Sequence, residues 1–224
     1  MMPAENAPAV SPNISSKIQE SRRLSGRGAP VFFLPMLHIY EIMSAVMEEI
    51  VVRDDFTCDT SVNLPYPATQ PESKNRTYAL AMLSNIGGGN SEMTAVSLYF
   101  YNSVILDPAY AGFAKCFHEI SLVEMRHLDI FAELAYKMGM DPRLWSIQNQ
   151  KRTYWTPAYN QYPRAVHNVI QNAIQGENAA IRKYRSQAGS IRDDNIVAIL
   201  QRIILDEERH IEIFNGMLHY LSQN

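Results

Sequence analysis

Two helical stripes in this 224-residue chain are apolar at every step except the centre, where each carries Glu-x-x-His. Read in steps of four and three, the first runs Phe113, Phe117, Ile120, Glu124, His127, Phe131, Leu134, Met138. The second runs Ile196, Leu200, Ile203, Glu207, His210, Phe214, Met217, Leu221. Residues at such steps share one face of an α-helix, so each helix turns a carboxylate and an imidazole into the apolar interior it helps to build. Each is preceded by a helix bearing Glu-x6-Tyr, Glu92 with Tyr99 and Glu177 with Tyr184. From Glu92 to Glu124 is 32 residues and from Glu177 to Glu207 is 30, so the chain reads as a two-helix unit duplicated internally.

Four carboxylates and two imidazoles among Phe, Leu and Ile would each cost several kcal/mol if left ionised and unpaired. Two divalent cations balance the four carboxylates. A Glu and a His at i, i+3 lie on one helical face within reach of one ion. Carboxylate oxygen with a little imidazole suits iron or manganese, and the absence of thiolate argues against a soft-metal or structural zinc site. One Glu from each of two helices and Glu-x-x-His from each of two others is the donor pattern of di-iron and di-manganese carboxylate bundles. The bland alternative is a core salt-bridge network in which Arg126 and Arg209 neutralise the carboxylates. Those arginines fall off the stripes. His167 shares the stripe of Glu177 but lies about 15 Å along the axis, too far for the same ion. Asp206 reads either as orienting a ligand histidine by accepting its second ring proton or as an exposed carboxylate beside Glu207.

The chain is therefore expected to be all-α, with helices near 75–105, 109–138, 163–188 and 192–221. Short turns join the first pair and the second pair. Residues 139–162 form a long crossover between helices 2 and 3, carrying Trp145, Tyr154 and Trp155 along the outside. Gly87-Gly88-Gly89 reads as close helix packing, or a local kink that admits substrate just before Glu92. Residues 1–30 are poor in large apolar side chains and read as a disordered tail. Residues 31–72 read as an extension with one helix, from Met36 to about Arg53, and a Pro-rich linker. The four-helix bundle occupies 73–222.

Twenty Lys+Arg against 23 Asp+Glu leave no basic face, which argues against nucleic acid as a partner. The most apolar stretch, Val31 to Val52, is interrupted by Pro35, Glu41, Glu48 and Glu49 and cannot supply the about 18–20 uncharged residues of a membrane span. Ser21-Arg22-Arg23-Leu24 is only a faint twin-arginine signal. Cys58 and Cys116 form no C-x-x-C pair. They are read as reduced thiols in a reducing compartment, which with the other features gives a cytoplasmic expectation.

Glu92-x6-Tyr99, Glu124-Met-Arg-His127, Glu177-x6-Tyr184 and Asp206-Glu207-Glu208-Arg209-His210 resemble the rubrerythrin branch of the ferritin-like superfamily over about residues 75 to 221. The resemblance implies a ferritin-like four-helix bundle with two Fe or two Mn ions per chain. Glu124 and Glu207 would bridge them, with Glu92 and Glu177 as terminal ligands and His127 and His210 completing the set. Tyr99 and Tyr184 would hydrogen-bond the site. It also implies a homodimer and reduction or disproportionation of hydrogen peroxide, or reaction with O2. Two departures matter. With two cysteines the chain cannot carry a rubredoxin-type iron, so its electron donor would be another protein. Ala180 stands where rubrerythrins place an additional Glu. The more symmetric donor set also resembles manganese catalases and ferritin-type ferroxidases. The rival readings are iron handling, an O2-activating oxygenase, and a non-enzymatic coat-type bundle with a vestigial site.

Overall fold

The structure is a computed structural model and describes residues 56–223. The tail, the helix expected over 36–53 and the twin-arginine segment lie outside the described residues. From its N-terminal end the described chain runs as an extended strap to Lys74. It then forms helices α1 (Arg76–Gly87), α2 (Glu92–Leu106) and α3 (Ala111–Lys137), strands β1 (Trp145–Gln148) and β2 (Lys151–Tyr154), and a 3-10 turn at Pro157–Tyr159. Helices α4 (Val166–Ser190) and α5 (Asp194–Gln223) complete it. No helix among the described residues is long and apolar enough to cross a membrane.

The first expected helix is two. The Asn75 side chain opens α1 by accepting from the backbone N–H groups of Thr77 and Tyr78 at 2.9 and 3.2 Å, an N-cap. The helix ends where Gly88 turns to extended backbone, and α2 begins at Glu92. The break follows from the glycines. A Cβ on Gly87 would stand 2.3 Å from the Trp145 backbone nitrogen, so only glycine lets the crossover pass this close. The crossover, expected as irregular chain, contains a β-hairpin with Trp145 paired to Tyr154. Asn149 and Gln150 turn it at positive φ, 50° and 61°, a turn chemistry that Asn-Gln signals only weakly.

Helices α2 and α3 pack as one close antiparallel pair and α4 and α5 as another. The stripes face inward as their periodicity requires. Phe113, Phe117, Ile120, Phe131 and Leu134 of α3, and Ile196, Leu200, Ile203, Phe214 and Met217 of α5, are fully buried. The core divides into two apolar layers. One is built on Met82, Leu83, Ile86, Phe131 and Ile203, the other on Phe113, Phe117, Val169, Ile170 and Phe214. The six polar residues of the four helices lie between them.

The seam between α3 and α5 is closed by the strap. Its Cys58 is disulfide-bonded to Cys116 of α3, with the Cα atoms 5.9 Å apart. Further along, the Val62 N–H donates to Asp206 at 2.9 Å, Lys137 donates to the Thr69 carbonyl at 2.6 Å, and the Glu72 N–H donates to Asp193 at 2.8 Å. The buried Arg202 donates to the carbonyls of Leu64 and Val62 at 2.9 and 2.7 Å. The disulfide overturns the expectation of two reduced thiols. A sequence separation of 58 says nothing about spatial proximity, and only the return of the strap along α3 brings the sulfurs together. Disulfides persist under oxidising conditions, so the reducing compartment loses the ground on which it was read.

Candidate metal centre

Glu92, Glu124, His127, Glu177, Glu207 and His210 meet at the centre of the bundle, each 2% exposed or less. Their donor atoms form two overlapping groups, each with its ligand atoms within 4.8 Å of one another. Glu92, Glu124, His127 and Glu207 make one; Glu124, Glu177, Glu207 and His210 make the other. Glu124 and Glu207 are common to both. This equivalence follows from the duplication, because each Glu-x-x-His helix lends its carboxylate to both halves and its imidazole to one.

Both imidazoles turn Nδ1 toward the carboxylates. His210 Nδ1 lies 3.0 Å from Glu124, 3.1 Å from Glu207 and 3.5 Å from Glu177. His127 Nδ1 lies 3.3 Å from Glu124 and 3.4 Å from Glu207. One ring nitrogen cannot donate to two or three acidic oxygens at once, and Glu124 Oε1 and Glu207 Oε1 are buried without a hydrogen bond of acceptable geometry. A divalent cation at each group satisfies what a single proton cannot, so the donor set fits a pair of metal ions.

The outer ring nitrogens fix the tautomers. His210 Nε2 faces the Thr60 carbonyl at 3.0 Å. A carbonyl only accepts, so a proton sits on Nε2, and Nδ1 is the nitrogen that would give up its proton to an ion. His127 Nε2 faces Asp206 at 3.2 Å, and the same carboxylate accepts from the Tyr66 hydroxyl at 2.5 Å and pairs with Arg202 at 2.8 Å. Arg202 also lies 4.4 Å over the Tyr66 ring. Asp206 is thus buried against His127, not exposed beside Glu207. Tyr66, Arg202 and the Thr60 carbonyl had no sequence signal. Arg126 and Arg209 do not reach the six residues. Arg126 sits 5.9 Å over the Tyr66 ring and Arg209 serves Asp59 and Glu212, so they do not form the neutralising network considered above.

Tyr99 donates to Glu177 and Tyr184 to Glu92 through short hydrogen bonds. Each tyrosine therefore serves the carboxylate of the other repeat. Burial, and then the adjacent Glu177 for Tyr99 and Glu92 for Tyr184, push both phenols well above their ordinary pKa, so they hold their protons. Burial and then the Glu207 and Glu124 charges raise Glu92 well above the carboxylate range. Burial and then Glu124 and Glu207 raise Glu177 to about 8. Burial opposes ionisation of Glu124, but the two histidines facing it hold its pKa below the ordinary value.

These shifts predict a pH dependence of metal uptake. A carboxyl with a raised pKa keeps its proton at low pH, and an ion must displace it. Affinity for Mn(II) therefore rises with pH through the neutral range, as Glu177, Glu92 and the two imidazoles give up protons to the ion, and uptake releases protons. Calorimetry in buffers of differing ionisation enthalpy measures the release; uptake with no proton release at pH 6.5 contradicts this reading.

Comparison with known proteins agrees with this geometry. The rubrerythrin family model matches residues 89–218. Among solved structures, the chain is similar to wild-type KatB, a manganese catalase from Anabaena. The identity is 21% and the TM-score 0.63, over 72% of this chain and 80% of that one. It is also similar to the Mycobacterium tuberculosis bacterioferritin BfrA, with 17% identity and a TM-score of 0.54, over 67% of this chain and 89% of that one. These likenesses show the ferritin-like helical fold. No curated protein matches the chain.

Proposed function

The chain belongs to the rubrerythrin family, and from that premise we propose that it is a dinuclear iron or manganese oxidoreductase that reduces or disproportionates hydrogen peroxide. The observation that carries this reading is the pair of donor groups sharing Glu124 and Glu207. Glu92 and His127 would complete one ion's ligands, and Glu177 and His210 the other's. When bound, such a pair supplies the two one-electron steps that cleavage of an O–O bond requires.

The protein's own part is positional. Glu124 and Glu207 fix the spacing of the two positions. Asp206 and the Thr60 carbonyl hold the imidazoles with Nδ1 inward. Tyr99 and Tyr184 keep a proton on the oxygen that faces Glu177 and Glu92 and would supply it to a reactant bound beside them. In disproportionation one peroxide takes two electrons and two protons to give two waters. A second returns both to give dioxygen, so no outside donor is consumed. In peroxide reduction the electrons come from an external donor protein, since both cysteines are committed to the disulfide. A homodimer belongs to the same reading, and a one-chain mass in sedimentation would remove it.

The test is an assay of metal-loaded protein. Dioxygen evolution from peroxide without a donor identifies disproportionation, and consumption only with a reduced donor identifies a peroxidase. Neither activity on protein holding both ions rejects the proposal. The Tyr99→Phe, Tyr184→Phe double variant is expected to retain its metal and lose about 100-fold in kcat, at the low end of general acid–base contributions. Unchanged kcat would assign the phenols a purely packing role.

A further inference from the structure

The two wide seams of the bundle are filled differently. The α3–α5 seam, behind the histidines, is sealed by the strap. The α2–α4 seam holds a cavity of about 250 Å³ whose inner end is Glu92, Tyr99, Glu177 and Tyr184. We infer that this cavity is the port by which a small uncharged hydroxylic solute such as hydrogen peroxide reaches the centre, and that Gly176 keeps it open. The inference rests on the dinuclear reading above and adds the route and its selectivity.

Three observations support it. The walls set the amides and hydroxyls of Asn90, Thr94, Asn160 and Asn172 among apolar Ala95, Leu98 and Ala179. Apart from Glu92 and Glu177 at the floor, no charged residue lines the cavity. Such walls replace the hydrogen bonds that a neutral solute like peroxide loses on leaving water, but offer no carboxylate relay to a hydrated cation, whose desolvation is far costlier. At a water's share of about 30 Å³ the volume holds several small molecules. Second, the cavity exists because of particular residues. Gly176 is exposed, at the mouth, and a Cβ there would meet only the Tyr99 hydroxyl, at 4.0 Å. One turn on, Ala180 lines the same space with no more than a methyl group. Third, the break at Gly88–Ser91 carries the chain away from α2 just before Glu92. The Trp155 indole and the Asn160 amide hold the crossover to Thr94 and Ser97 at 3.0 and 2.7 Å, forming a fixed outer wall.

Gly176→Leu tests the assignment, because a helix accepts leucine and a side chain starting here, 4.0 Å from the Tyr99 hydroxyl at its Cβ, would enter the port. Asn172→Phe narrows the same wall one turn earlier and serves if the first variant does not fold. Ser186→Leu, which places the same side chain at an exposed α4 position outside the cavity, is the control. The probes are nitric oxide, a neutral diatomic whose association with Fe(II)-loaded protein is followed by stopped-flow absorbance, and hydrogen peroxide turnover. The expected result is wild-type metal content with at least a tenfold loss in both the nitric oxide association rate and kcat/KM for peroxide, and no change in the control. Wild-type association of nitric oxide in both port variants overturns the proposal. Slowed nitric oxide binding in protein that turns over no peroxide, wild type included, keeps the port and removes the peroxide reading.

Discussion

Replacing Glu124 and Glu207 together by alanine is expected to eliminate metal binding and turnover while leaving the helices in place. Each of these carboxylates belongs to both donor groups, so the double variant halves the donors of each position. Two well-separated ligands would weaken one ion apiece; two shared ones weaken both ions twice. The fold survives because the apolar layers on either side of the centre are independent of it. Removing two buried charges also relieves the crowding that raises Glu92 and Glu177. Circular dichroism should match the wild type while elemental analysis finds no bound metal. Full peroxide turnover in this variant would sink the assignment.

The second large effect concerns the strap. Cys58→Ser removes the link to Cys116, which closes a loop of 58 residues. In the chain-entropy account a loop of that length is worth about 4 kcal/mol. At roughly 2–4 °C per kcal/mol for a chain of this size, the melting temperature falls by about 10 °C. Damage should extend to the metal centre, because the freed segment holds the Thr60 carbonyl against His210 and Tyr66 against Asp206. Metal is therefore expected to leave faster to a chelator in Cys58→Ser than in the parent. A melting temperature within 2 °C of wild type would mean that the strap is held by its hydrogen bonds, among them those to Asp206, Asp193, Arg202 and Lys137, without the disulfide.

What was legible in the sequence, and what was not, follows from the range of the interactions. The helices and the six central residues are written in a local period, so steps of three and four were enough to set Glu124 beside His127 and Glu207 beside His210. Repetition of the motif then matched the two halves. The partners of the histidines are not local. Thr60 acts through its backbone carbonyl, which any residue supplies, and Tyr66 lies in Asn63-Leu64-Pro65-Tyr66-Pro67, a stretch that reads as a linker because proline denies it helix and strand. Its structure comes from the seam it fills. The disulfide was missed for the same reason, since sequence separation does not report which segments return to one another. The break before Glu92 was half legible. The three glycines announced an irregularity, but the contact that forbids a side chain on Gly87 comes from Trp145, far along the chain.

The measurement that tests the central claim most directly is the metal content of protein produced with both iron and manganese supplied, determined by elemental mass spectrometry. The account predicts about two ions of iron or manganese per chain, as a dinuclear carboxylate centre requires. Protein that holds no metal, and whose stability is indifferent to chelator, would contradict it and leave the six buried residues as a polar network of the core.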